Sequence, residues 1–422
     1  MFFSFQDRFI VVSDGELENR VRDGVPKNTL RRNAWAINTW RKWSIARNKR
    51  RVESVETCDK YTKVLDKLEN MNNDILNYWL GKFIVEVRKE NGEEYPPPPK
   101  KKTLLSLVMG LQSFLRLENK TDINFLDGSE FQPIRQVLDA EMKRISRKGI
   151  GSTTKKAAAF SDEEIDKLWQ SKHLGDYNAK VLVRTILFLN GLNFGLRGGQ
   201  KHRNLRYRPS QITLHEPQGQ SAYLQYTEDY SKSVQGGLKH RRVTKKSVTH
   251  HGNQQTPERC HVRIYKKYMS LSPTTNRDDI FYLQPLRTLK TDLWYSRQAI
   301  GVNSLANFVK EMCKSADIGG HHTNHSLRAT TATKLFQQGV DEQLIMARTG
   351  HRSVEGVRSY KRISFEQNKV LSNILNGNDA SVESSSSRPS TSVDHGGSCT
   401  ALSETEEMFP NVVFNNCTFN MK

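Results

Sequence analysis

The sequence predicts a mainly α-helical fold with a small antiparallel β-sheet, arranged as two folded regions and a polar tail. Three patterns carry this reading. Apolar residues return at three- and four-residue spacing through residues 28–145 and again through much of 158–375, the period of helices with one buried face. A basic Gly/Ser/Thr-rich run, SRKGIGSTTKK, stands between the two, which makes residues 146–157 an interdomain linker. Within the second region SQITLHE and AYLQYTED gather β-formers around the turn EPQGQS, as a hairpin requires.

Residues 1–27 have no clear period and read as an N-terminal arm. From Asn28, Trp35, Ala36, Trp40 and Trp43 fall on one side of a helix, with Arg31, Arg32, Arg41 and Lys42 on its other faces. A second helix near 75–87 gathers Leu76, Trp79, Leu80, Phe83 and Val87. The segment NGEEYPPPPKKK then breaks the chain, because prolines cannot continue a helix. Two more helices are expected over 104–117 and 131–145, completing a four-helix unit.

The second region opens with a capping box, SDEE, at Ser161. A helix through Leu168 and a strongly apolar helix over 181–192 follow. A third strand near 242–248 is expected to join the hairpin, and helices resume over 305–375. Among these, Gly350 ends one helix and Ser353 caps the next. Beyond Asn376, DASVESSSSRPSTSVDHGGS has too few apolar residues to build a core, so 376–422 is expected to be disordered. Its last residues, with Val412, Phe414 and Phe419, suit a short strand or a docking peptide.

The formal charge is +20 over 422 residues. Such an excess repels itself unless a polyanion offsets it, so double-stranded DNA is the expected partner, rather than a membrane or a small-molecule substrate. The opening MFFSFQDRFIVV is interrupted by Asp7 and Arg8, and no apolar run approaches the ~20 residues of a membrane span. Cys58, Cys260, Cys313, Cys399 and Cys417 are scattered without a CxxC pair. Free thiols in a reducing compartment are expected, with no disulfide framework, metal site or cofactor.

Three clusters carry chemistry. In GLNFGLRGGQKHRNL, Arg197 follows an apolar helix and precedes two glycines that let backbone approach a ligand. In HHTNHSLRATTATKLF, His325 and Arg328 are three apart and share a helix face. In TGHRSVEGVRSYKR, His351 precedes Tyr360 by nine residues, among Arg352, Arg358 and further cations. Taken singly, these read as a helix cap, a polar first turn and a packing aromatic. Taken in order, they resemble the tyrosine recombinase family, whose catalytic set is Arg, Lys, His-x-x-Arg, His or Trp, and Tyr. NTLRRNAWAINTWRKW, GLRGGQKHRNL and NHSLRATTATKLFQQGVDEQLIMARTGHRSVEGVRSYKRI look like the recombinase-derived domain of Crypton DNA transposons and their domesticated animal relatives.

The resemblance implies a helical, SAM-like core-binding domain over 28–145 and a tyrosine-recombinase catalytic domain over 158–375. It implies a catalytic set of Arg197, a lysine, His325, Arg328, His351 and Tyr360 as nucleophile. Arginine forks can hold non-bridging phosphate oxygens bidentately as charge builds, and a tyrosine can form a covalent phosphotyrosine. The family takes its proton for the leaving 5′-oxygen from a lysine in a β-hairpin turn. TEDYSKSVQGGLKHRR offers Lys232 and Lys239; Lys232, just after a predicted strand, is preferred, and Lys239 reads as a phosphate-contacting charge. Arg31, Arg32, Arg41, Lys42, Arg352 and Arg358 are the expected DNA-facing cations. Two positions depart from the family: Gln200 stands where an acid is common, and Ala329 follows Arg328 where histidine is often found.

The resemblance further implies site-specific recombination by a homo-tetramer assembled on DNA, and a nuclear location, to which PPPPKKKT adds a weak import signal. A carboxylate-dependent nuclease lacks its acids here, since 191–207 holds none. His250, His251, His321 and His322, or Cys260 with His261, match no zinc-finger spacing. A type IB topoisomerase uses similar chemistry and is a more distant fit. The competing expectation is a domesticated protein that keeps the fold for DNA binding and has lost catalysis.

Overall fold

The computed structural model describes residues 9–53, 59–98, 102–151, 156–229, 245–363 and 365–377. The chain parts into two compact units, 1–361 and 362–422. Consequently the helix Phe365–Leu375, which the sequence groups with the second folded region, belongs to the second unit. The expected disordered tail from 378 onward lies outside the described residues, as do residues 152–155 of the linker and 242–244 of the third strand.

The fold is mainly α with small antiparallel sheets, as expected. A short helix α1 (Asp14–Asp23) precedes α2 (Lys27–Glu53), α3 (Asn73–Glu86), α4 (Leu104–Leu117) and α5 (Gln132–Arg147). Ala36 and Trp40 of α2 are fully buried against Trp79, Leu80 and Phe83 of α3 and Leu107 and Leu111 of α4, in a core confined to residues 36–145. Helix α2 lies so close to α4 that a Cβ on Gly110 would stand 2.6 Å from the Ala36 side chain. Asn72 and Thr103 cap α3 and α4 through their side chains.

A second core spans residues 160–327. Helix α6 (Asp162–Gln170) starts with the expected capping box of Ser161 and Glu164. Apolar on nearly every face, α7 (Ala179–Asn193) runs through the middle of this core. It leads to α8 (Gly198–Arg203), then to the sheet β1 (Ile212–His215), β2 (Tyr223–Thr227) and β3 (Ser247–His251). Tyr226 pairs with Ile212 on one side and Val248 on the other, and all three are buried. Among the described residues the third strand begins at Ser247, where β-branched Val248 and Thr249 meet β2.

Helix α9 (His261–Ser270) and the hairpin β4 (Leu283–Lys290) with β5 (Leu293–Ala299) were not anticipated. The remaining helices are α10 (Val302–Ser315), α11 (Asn324–Gln337), α12 (Glu342–Thr349) and α13 (Val354–Arg358), with α14 (Phe365–Leu375) in the second unit. Among the described residues no helix is long and apolar enough to cross a membrane.

Candidate active site

Each of the three sequence clusters is delivered by a helix end. Helix α7 stops at Asn193, and the chain turns through Gly195 at φ +58° before Arg197 takes the N-cap position of α8. A Cβ on Gly195 would sit 3.2 Å from the Thr349 Cα, so this turn needs both the left-handed backbone and the missing side chain. Thr323 and Ser326 cap α11 reciprocally, which fixes the first turn that carries His325 and Arg328. Farther along α11, Thr331 donates to the Leu192 carbonyl, tying this helix to the end of α7.

Asp341 caps α12, and Gly350 closes it in the left-handed conformation at φ +72°. Ser353 then caps α13 by accepting from the Gly356 amide at 3.1 Å. Tyr360 follows at once. Its amide donates to the Val357 carbonyl at 3.0 Å, and its own carbonyl accepts from the Thr333 hydroxyl at 3.1 Å. Its ring packs beside the small cluster of Ala332, Ile345 and Val357. This places the Tyr360 Oη 2.7 Å from Nε2 of His325. The His351 ring lies 5.2 Å from the Tyr360 ring, centroid to centroid.

Arg328 is buried, with 8% of its surface exposed. One Nη donates to the Gly195 carbonyl at 3.3 Å, while its Nε has no partner among the described residues. Burial, together with Arg197, presses the guanidinium down to about 10, against the opposing pull of Tyr360. His351 is driven down to about 3 by burial and by Arg328, Arg197, His325 and Lys246. It is therefore neutral at pH 7. A cation-rich site with an unsatisfied buried donor and a neutral imidazole is built to receive an anion.

Lys246 is the residue the sequence reading missed. The Glu228 amide donates to its carbonyl at 2.8 Å, continuing the β2–β3 ladder by one step. Its ammonium donates to the Phe194 carbonyl and lies 5.7 Å from the centroid of the Tyr226 ring. Burial and Arg328 lower it to about 7, with Glu228 acting in the opposite sense. Its signal in the sequence is the KKS run at the start of β3, on the far side of the segment that holds Lys232 and Lys239. The two lysines nominated there, Lys232 and Lys239, lie outside the described residues.

The nominated DNA-facing cations are less uniform. Arg31, Arg41, Lys42 and Arg352 are exposed, while Arg32 is half-buried. Lys42 pairs with Glu90 at 3.0 Å. Arg358 grips Glu342 through two nitrogens at 2.9–3.2 Å, so its charge is offset within the protein rather than free. Among the described residues no group of three or more His, Cys, Asp or Glu side chains converges as metal ligands would. His261, next to Cys260, bonds Asn190 and Asn193 through its two ring nitrogens.

Residues 30–145 match the QRICH1 domain, and residues 159–314 match a domain of unknown function, DUF3504. The chain is 28% identical over 307 residues to zinc finger MYM-type protein 2 of Homo sapiens, covering 67% of this chain and 21% of that protein. It is 26% identical over 239 residues to transcriptional regulator QRICH1 of Mus musculus, covering 53% of this chain and 29% of that one. The chain thus spans about a fifth of the length of the zinc finger relatives it matches. Among solved structures, the XerH site-specific recombinase bound to palindromic difH substrate, in a post-cleavage complex, is similar over 74% of this chain and 75% of its own. The identity there is 17% and the TM-score 0.44.

Proposed function

We propose that this chain cuts and rejoins duplex DNA through a covalent 3′-phosphotyrosine at Tyr360. The observation that carries the reading is the Tyr360 Oη at 2.7 Å from His325 Nε2, beside a buried Arg328 with an unpartnered Nε. Breaking a phosphodiester requires cations on the non-bridging oxygens as charge builds. Arg328 and Arg197 supply them as forks that keep their charge.

In the cleavage step the Tyr360 oxygen forms a bond to phosphorus while the phenolic proton passes to His325 Nε2. The bond from phosphorus to the 5′-oxygen breaks, and that oxygen takes a proton from a lysine. Lys246, lowered to about 7, can give a proton near neutral pH. Lys232 remains the nominee of the family pattern. Rejoining runs the same sequence backwards, because the phosphotyrosine conserves the bond energy. The wider reading is a Crypton-type recombinase acting in the nucleus. Its helical core-binding region and catalytic region close on duplex DNA, and four copies exchange strands.

A second reading follows from a name. One relative is a transcriptional regulator, which favours a domesticated chain that binds DNA without cutting it. A nicked suicide duplex separates the two. Under the first reading the unmodified protein forms a covalent adduct, and Tyr360→Phe binds the same DNA without forming one. If the unmodified protein binds nicked, supercoiled and junction DNA and never forms an adduct, the binding-module reading replaces it.

A further inference from the structure

Thr349 ends α12 with its side chain fully buried. Its Oγ1 stands 2.6 Å from the Ile345 carbonyl oxygen and 2.7 Å from Nδ1 of His351. A hydroxyl has one proton to share between these two neighbours. Two oxygens 2.6 Å apart repel unless a proton lies between them, and a carbonyl has none to give. The Thr349 hydroxyl therefore donates to Ile345, the back-bonding habit of threonine in a helix. Its lone pairs then face His351, and Nδ1 of His351 must be the donor.

We propose that Thr349 is a positioning residue that holds His351 as the Nδ1–H tautomer, leaving Nε2 as a bare lone pair on the ring edge away from Thr349. The groups around that ring are Arg328 and His325 from α11, Arg197 ahead of α8, Lys246 ahead of β3, and Tyr360 after α13. In this form the neutral ring accepts at Nε2. It donates to a phosphoryl oxygen only after taking up a proton, which an arriving phosphodiester favours by opposing the surrounding cations. This inference rests on the DNA-cleavage reading for its kinetic consequence, but the tautomer itself does not.

The test uses the full chain with ¹⁵N-labelled histidine, the His351 signals being assigned by their loss in His351→Gln. The unmodified protein should show a protonated Nδ1 and a bare Nε2 at neutral pH. Thr349→Val should lose that signature. It should also slow adduct formation on the nicked duplex on the order of tenfold, about one hydrogen bond's worth of orientation, with DNA binding unchanged. Thr349→Ser should restore both. A protonated Nε2 in the unmodified protein overturns the proposal, as does an unchanged signature in Thr349→Val or a failure of serine to restore it. If the unmodified protein forms no adduct, the cleavage reading fails while the ring signals still decide the role of Thr349.

Discussion

Arg328 is an expensive residue to leave as it stands. Its guanidinium is buried, one nitrogen has no partner among the described residues, and burial already weakens its hold on its proton. An anion bound against it relieves that cost, and a lysine in its place keeps the charge but loses the fork. Arg328→Lys is expected to lower the rate of adduct formation by about 10²–10³-fold, the usual cost of one lost charge-stabilising donor. Single-turnover cleavage on the nicked duplex measures it, and a change under tenfold would place Arg328 outside the reacting centre. The convergence of His325, Arg328, His351 and Tyr360 was legible in the sequence because their spacings are short and punctuated by caps and glycines. Lys246 and Thr349 were not. Their partners, the Phe194 carbonyl and the His351 ring, depend on strand register and on the last turn of a helix rather than on local spacing.

At the scale of elements, the crossing of α7 over α11 sets the distance between Arg197 and the His325–Arg328 turn. Gly191 makes that crossing possible. A Cβ there would lie 2.4 Å from Cδ1 and 3.1 Å from Cβ of Leu327. Replacing a helical glycine by alanine ordinarily gains about 1 kcal/mol of propensity, while overpacking a core costs roughly 1–3 kcal/mol. Leu327 is fully buried, so its Cδ1 has no open space to swing into, and its Cβ cannot rotate away; the second effect wins. Gly191→Ala should therefore lower the urea midpoint, and adding Leu327→Ala should recover less than the cavity it opens costs; a raised midpoint in the single variant would refute the crossing. The long amphipathic helices and the caps at Ser161, Gly350 and Ser353 were readable because period and punctuation are local. The β4–β5 hairpin was not readable. LQPLRTLK carries a proline and two cations, lacks clean alternation, and pairs with β5 through register shifts.

At the scale of the molecule, a formal charge of +20 and a set of neutral buried histidines pull in the same direction as pH falls. His202 is held at about 3, and His261 well below its ordinary value, both by burial. The unfolded chain binds protons at these positions below about 6.5 while the folded chain does not. Their contribution to stability is thus intact above pH 6.5 and is lost as the pH falls toward their folded values. For His202 roughly 1 kcal/mol should vanish between pH 7 and pH 5.5, and His261 adds a loss of the same sign. Urea unfolding at the two pH values reads the sum, and removing His202 and His261 together should shrink the difference without abolishing it, because burial also lowers His351 and His250. The net charge was visible in the composition, but the two buried rings were not, because burial is a property of the assembled core. One bond described above reaches further than the fold. The Thr333 hydroxyl clasps the backbone of Tyr360 to the helix that carries His325 and Arg328, so on the cleavage reading proposed above one polypeptide would supply nucleophile, base and anion hold. If that reading holds, an assembly of such copies would be a company of self-sufficient cutters, each using its own tyrosine and borrowing none from its neighbour.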